Sequence, residues 1–374
     1  MTSKIKVWAR WFHLYTALVL CVPLVLIGLT GSVLVYEDEI QAWTGSVEPI
    51  RATADGPISS LDRLIAAAQE AAPNNARATS LSLPSAAGQP AMVGFGGGRG
   101  GAQVLLDPAS AAVIASRSGP PRPPGLMRDI FLLHANLLNL AGGRATIGWL
   151  GIAMCAIGLT GLVLWWPKRG RIAKAFAVAR GIVGQRLLSE LHGAIGIWSF
   201  VVFMVVSFSG VYLAFPQETN GFVRTVFQSE DVGSAARALR VTPDERPLPS
   251  LDRISEIARG AVDDADFRAI NLPSQPNLPY RVTLAPRGIF ADGRGPLVAV
   301  YVDPFAQRVL TILDPRDYPL GEKIVVWQRP LHEGEGLGPI FKFLVFLSGL
   351  LPLFFAVTGI WMWLIRRRRR RAAV

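Results

Sequence analysis

Four long apolar runs divide the chain, at 14–35, 145–166, 193–215 and about 339–365. At about 1.5 Å of helix per residue, each is long enough to cross the roughly 30 Å hydrocarbon core of a bilayer. The first three hold no charged residue, and only Lys342 enters the fourth. Backbone in lipid must satisfy its own hydrogen bonds, so the runs predict four transmembrane helices. Pro23 predicts a kink in the first. That run is long for a cleaved leader and no small-x-small motif follows it, so it is expected to remain as an anchor.

Between the first and second runs, and again between the third and fourth, the pattern becomes short and polar. Ser59-Ser60 precede LDRLIAAAQEAA, an amphipathic helix with a serine cap. ATSLSLP, PAMVGF and AQVLLDP then read as strands. The later stretch repeats these pieces as SLDRISEIARGAV, INLPS and VYVDPFAQRVL, with Asp-Pro at the turn in both. Each stretch predicts a small α+β module. GFGGGRGG, at 94–101, contains G-x-G-x-x-G. It lies between two strand candidates with no helix behind it, so it reads as a hairpin and not as a dinucleotide site. The prolines at 120–124 predict a stiff lead back to the membrane.

The runs repeat as well. His134, Thr160-Gly161, Trp165 and Lys168-Arg169 recur as His332, Thr358-Gly359, Trp363 and Arg366-Arg367, at a constant offset of 198 residues. The expected fold is an α-helical membrane protein with four transmembrane helices, two small α+β modules and an internal two-fold repeat. Its parts are a tail and first helix at 1–45, a module at 46–125, an interfacial helix and second helix at 126–167, and a basic loop at 168–191. The third helix at 192–216, the second module at 217–328, and the fourth helix with a basic tail at 329–374 complete it.

The net charge of +11 would suit a nucleic-acid binder, but its distribution has another explanation. Lys4, Lys6 and Arg10, then Lys168 to Arg186, then Arg366 to Arg371 flank the runs on alternate sides, and the remainder is slightly acidic. This is the positive-inside pattern. It places both termini inside and both modules outside, makes membrane lipid the partner, and leaves no need for nucleic acid. Cys21 and Cys155 lie within apolar runs and read as buried small side chains. There is no C-x-x-C-H for covalent haem attachment.

The chain has four histidines, and each introduces one run. His13 and His192 fall at the inner ends of the first and third, His134 and His332 at the outer ends of the second and fourth. Two histidines thus meet at each face, one from each repeat. Neutral imidazole suits an axial position on haem iron, and two would saturate it and favour electron transfer. The expected ligand set for haem iron is therefore His13 with His192, and His134 with His332. A mononuclear zinc or copper site would need a third ligand that neither pair offers. Thr30-Gly31, Thr160-Gly161, Ser209-Gly210 and Thr358-Gly359 approach the opposite face from the histidine of their own run. Glycine there would let a flat ring approach the backbone, or simply let helices pack closely. Charged residues are nearly absent from the spans, which argues for electrons, not ions, as what crosses.

The L-H before the second and fourth runs, the T-G-L-V-L-W-W-P that ends the second, and the helix-then-Asp-Pro modules resemble the PepSY-associated transmembrane family over nearly the whole chain. One departure is Ala17 four residues after His13, where Gly196 follows His192. The resemblance implies two PepSY-like modules in the periplasm of a bacterial inner-membrane protein with cytoplasmic termini. It also implies b-type haem on the four histidines and, by likeness to FoxB-type siderophore reductases, delivery of electrons to a periplasmic ferric siderophore. Quinol or a cytoplasmic reductase would be the donor. Trp327, Arg329 and Glu333 are candidates to line a substrate site, and no catalytic residue is assigned. Two other readings stay open: a PepSY membrane protein that binds or regulates envelope proteins without haem, and a haem carrier serving another acceptor.

Overall fold

The computed structural model describes the chain apart from residues 1–2, 45–51, 53–55, 73–75, 85–87, 97–100, 119–124, 168–171, 288–294 and 372–374. In order, the elements are α1 (Ser3–Val35), α2 (Glu37–Thr44), α3 (Leu61–Glu70), β1 (Ala78–Ser82), β2 (Ala91–Phe95), β3 (Ala102–Leu106) and β4 (Val113–Ser118). Next come α4 (Leu126–Asn136), α5 (Gly143–Trp165), α6 (Ile172–Ala175), α7 (Gly184–Ala214), α8 (Pro216–Phe227), α9 (Val232–Arg237) and α10 (Leu251–Arg259). β5 (Ala265–Asn271), β6 (Tyr280–Pro286), β7 (Val298–Asp303), β8 (Arg308–Leu313), α11 (Leu320–Glu333) and α12 (Gly338–Arg371) follow. The chain folds as two compact units: residues 1–40, 124–222 and 328–374 form a helical one, and 41–123 with 223–327 form one built on a sheet.

In the helical unit, α1, α5, α7 and α12 are long and apolar enough to cross a membrane. α1 packs on α5 and α12, and α7 packs on the same two, which closes a ring of four. Val19, Val22, Trp198, Val201, Ile340 and Trp361 point outward and are exposed, as lipid-facing side chains must be. At the α1–α12 crossing, a Cβ on Gly349 would run into the Ser32 side chain and the Gly28 carbonyl, so this close approach requires glycine. Ser32 Oγ donates across the same crossing to the Phe346 carbonyl, at 2.8 Å.

Three helices outrun the apolar stretches. α1 starts at Ser3 and α7 at Gly184, so His13 and His192 lie inside helices, while α12 carries the arginine run through Arg371. Helical hydrogen bonding continues past the apolar span because arginine, lysine and glutamine are good helix formers. Cations also finish helix ends. Arg144 donates to the last carbonyls of α7, with Nη2 2.5 Å from Leu213 O and Nε 3.1 Å from Ala214 O. Lys6 Nζ reaches Trp166 O at 3.1 Å, just past α5. Lys342, the single charge of the fourth span, binds Glu39 at 2.5 Å and covers the Tyr36 ring. Between α5 and α7, Phe176 stands edge-on to Trp165 and Trp198, whose indole N–H groups donate to Ala175 O and Phe176 O.

The sheet unit has eight antiparallel strands in the order β4-β3-β2-β1-β5-β6-β7-β8. Strands of the two expected modules meet at its middle, with Leu81 opposite Ile270. α3 and α10 cover one face, and Leu64, Ala68, Ile254 and Ala258 bury themselves against Val93, Val104, Val282 and Val300. Ser60 and Ser250 cap their own helices. The aspartates that follow cap each other's: Asp252 accepts from Leu61 N through both oxygens at 3.1 Å, and Asp62 accepts from Leu251 N at 2.9 Å. Asp107 and Asp303 hold equivalent turns, each taking two backbone N–H groups on Oδ1. β4, α8 and α9 had no counterpart in the sequence reading. β2 and β3 pair on either side of the glycine-rich link, whose residues 97–100 lie outside the described residues, as do the prolines before α4 and Lys168 to Arg171.

Candidate functional site

The helical unit brings the four histidines together two by two. His13 on α1 faces His192 on α7, with ring centroids 6.4 Å apart and planes at 73°. His134 on α4 faces His332 on α11, at 6.0 Å and 40°. Each pair takes one residue from each half of the chain. Thr30, which touches His134, lies seventeen positions after His13 on α1, so the pairs stand about 26 Å apart along the helix.

Every ring is held at Nδ1 by a hydroxyl residue of another helix. His13 Nδ1 lies 3.1 Å from Ile157 O and 3.2 Å from Thr160 Oγ1 on α5. His134 Nδ1 lies 3.1 Å from Ile27 O and 3.2 Å from Thr30 Oγ1 on α1. His332 Nδ1 lies 3.1 Å from Val206 O and 3.2 Å from Ser209 Oγ on α7. Among the described residues His192 Nδ1 has one partner, Thr358 Oγ1 on α12, at 2.8 Å. A carbonyl oxygen only accepts, so Nδ1 carries the proton and donates to it. Thr358 spends its own hydroxyl proton on Phe354 O at 2.9 Å and therefore accepts from His192. The tautomer that results leaves the lone pair on Nε2.

His134 and His332 belong to helices outside the four spans. Burial pushes the His134 imidazole down to about 4, with the neighbouring His332 acting in the same direction. Burial also lowers His332. Both shifts favour the neutral imidazole.

The glycines after the hydroxyl residues serve the imidazoles. A Cβ on Gly31 would stand 2.9 Å from His134 Cε1, and one on Gly210 3.1 Å from His332 Cε1. At Gly161 and Gly359 the distances to His13 and His192 are 3.4 and 3.9 Å. The nearest protein atoms to these backbones are at the edge of a histidine ring. A Cβ on Gly196 would meet Phe355 at 3.9 Å, an ordinary contact. Phe355 itself packs on His192, with centroids 4.8 Å apart.

The spacing suits a metal held from both sides. An imidazole centroid lies roughly 1.1 Å from Nε2, and metal–imidazole bonds run about 2.0 Å, so two rings on one iron stand about 6 Å apart. Both pairs have that separation. Among the described residues no group of three or more His, Cys, Asp or Glu is gathered. Two imidazoles are a complete protein contribution where a macrocycle supplies the other four ligands. Of the substrate candidates, Arg329 pairs with Glu333 at 2.9 Å on the exposed side of α11, beside His332. Trp327 falls within the sheet unit. Sequence reasoning missed the carbonyls of Ile27, Ile157 and Val206. Their one signal is position, three residues before a Thr/Ser-Gly pair.

A four-helix membrane unit, two histidine pairs and an antiparallel sheet define the class. Residues 10–366 match the family described as the PepSY-associated TM region, and the chain belongs to that family. It is a multi-pass membrane protein. Among curated proteins none matches the chain.

Proposed function

We propose that this protein is a haem b reductase that carries electrons across a bacterial inner membrane to a ferric siderophore in the periplasm. The observation that carries the proposal is the pair of imidazole separations, 6.4 and 6.0 Å, near opposite ends of a membrane bundle. His13 with His192 would hold the haem on the cytoplasmic side, and His134 with His332 the haem on the periplasmic side. The basic residues flanking the spans support this orientation, with cytoplasmic termini and the sheet unit, as two repeated PepSY modules, outside. Iron held between two imidazoles supplies reversible one-electron transfer and no open position for a substrate. The chain's own contribution is to fix the tautomer that leaves Nε2 free and to exclude water with an apolar bundle. Quinol or a cytoplasmic reductase supplies the electrons. A ferric siderophore takes one electron per iron, and the ferrous ion is released because siderophore oxygens hold it far less tightly.

The test is direct. The purified protein, reduced with dithionite and freed of excess reductant, is mixed anaerobically with a ferric siderophore and a ferrous chelator. Reoxidation of the haem with matching ferrous chelate is expected. Haem that stays reduced would contradict the substrate while leaving electron carriage to another acceptor.

A further inference from the structure

The four Thr/Ser-Gly pairs form crossed supports. α1 carries His13 at one end and Thr30 at the other, and Thr30 holds the ring of His134 in the opposite pair. α7 repeats this with His192 and Ser209, which holds His332. α5 and α12 return the support, through Thr160 to His13 and Thr358 to His192. Each hydroxyl therefore acts on the pair to which its own helix gives no histidine.

The supports are unequal. Three rings have a backbone carbonyl and a hydroxyl, and the carbonyl survives any side-chain change. Among the described residues His192 Nδ1 has Thr358 alone. Without Thr358, a part-buried N–H has no acceptor among the described residues, and none of them sets which nitrogen keeps the proton. The ring beside Phe355 is then free to turn.

We infer that Thr30, Thr160, Ser209 and Thr358 are positioning residues that fix the haem-ligating tautomer, addressed crosswise to the two haems, and that Thr358 is the one the site cannot spare. This rests on the reading of the histidine pairs as haem sites. The hydroxyl oxygen also leaves each imidazole partly negative, which favours ferric iron, so its removal raises the midpoint potential of that haem.

The experiment uses the full chain with its haem. Thr358→Val, Thr358→Ser, Thr30→Val and Ser209→Ala are compared with the parent by haem content, potentiometric titration and low-spin electron paramagnetic resonance. Thr358→Val is expected to weaken retention of the His13–His192 haem about 10–100-fold, the range typical of lost outer partners, and Thr358→Ser to restore it. Thr30→Val and Ser209→Ala are expected to keep both haems and raise the potential of the His134–His332 haem alone. Both haems retained in Thr358→Val with unchanged potentials and signals would overturn the inference, as would a Thr30→Val shift confined to the His13–His192 haem. If Thr358→Val does not assemble, Ser209→Ala decides, since it removes a single oxygen and leaves the Val206 carbonyl in place. A parent protein without haem would defeat the underlying reading as well, whereas a haem-bearing parent with indifferent variants defeats this inference alone.

Discussion

Thr30 bonds the imidazole of His134, 3.2 Å from Oγ1 to Nδ1, although it shares a helix with His13. A single helix thus serves both ends of the bundle, as ligand at one and support at the other. Local damage to a ligand should still read out locally. His13→Ala and His192→Ala are each expected to lose the same one of two haems, and His134→Ala and His332→Ala the other. Pyridine haemochrome counts with spectra of the single and double variants check this. A shared loss between His13→Ala and His134→Ala would contradict the pairing.

The glycines beside the imidazoles rank by clearance. Gly31→Ala places a methyl carbon 2.9 Å from His134 Cε1, closer than side chains approach, and the ring must move. Gly359→Ala leaves 3.9 Å to His192, an ordinary contact. Gly31→Ala is expected to lose or perturb the His134–His332 haem, and Gly359→Ala to leave the spectrum unchanged. Difference spectra of the two variants measure the contrast.

The reciprocal aspartate caps join the helices of the sheet unit. Asp252→Ala removes the acceptor for Leu61 N, and Asp62→Ala the acceptor for Leu251 N. Each is expected to cost about 1 kcal/mol, the usual value of a helix N-cap contact. Asparagine at either position keeps an acceptor and should recover most of the loss. Thermal unfolding of the sheet unit, followed by limited proteolysis, reports the difference.

In the same unit, Arg224 grips Glu322 through Nε and Nη2 at 2.6 and 3.2 Å, and Glu322 is 3 % exposed. Arg224→Ala strands that carboxylate, and breaking a buried pair from one side costs about 3–5 kcal/mol. Arg224→Ala is expected to destabilise α8 and α11 far more than Arg237→Ala, which removes only an exposed partner of Asp231. The hydrogen bond from Arg237 holds the Asp231 carboxyl below its ordinary value, and Arg224 adds to this. A depressed folded value means the stabilisation is complete above the unfolded carboxylate range and is lost as pH falls through the folded one. The Asp231 contribution should therefore persist at pH 5 and fade as pH falls below the ordinary carboxylate value, as acid titrations of the parent and Asp231→Asn would show.

The spans, their histidines and the hydroxyl-glycine pairs were legible because lipid leaves few alternatives: an apolar run of that length must be a helix, and polar residues within it stand out. The serine caps of α3 and α10 and the Asp-Pro turns were legible for a local reason, since side chain and backbone partner lie within three residues. What escaped depends on contacts between distant segments. No local pattern says that Asp62 caps α10 or that β1 pairs with β5. VIASRS lacks the apolar alternation of a buried strand because β4 is an edge strand. The glycines were read for their smallness, correctly, but what fills the space is an imidazole from another helix.

The most direct measurement is an optical spectrum of the purified full-length protein in detergent, oxidised and dithionite-reduced, with a pyridine haemochrome count after haem-replete expression. Two b-type haems per chain with low-spin, bis-imidazole bands are the predicted result. A colourless protein would contradict the account and leave the two histidine pairs as packing within the bundle.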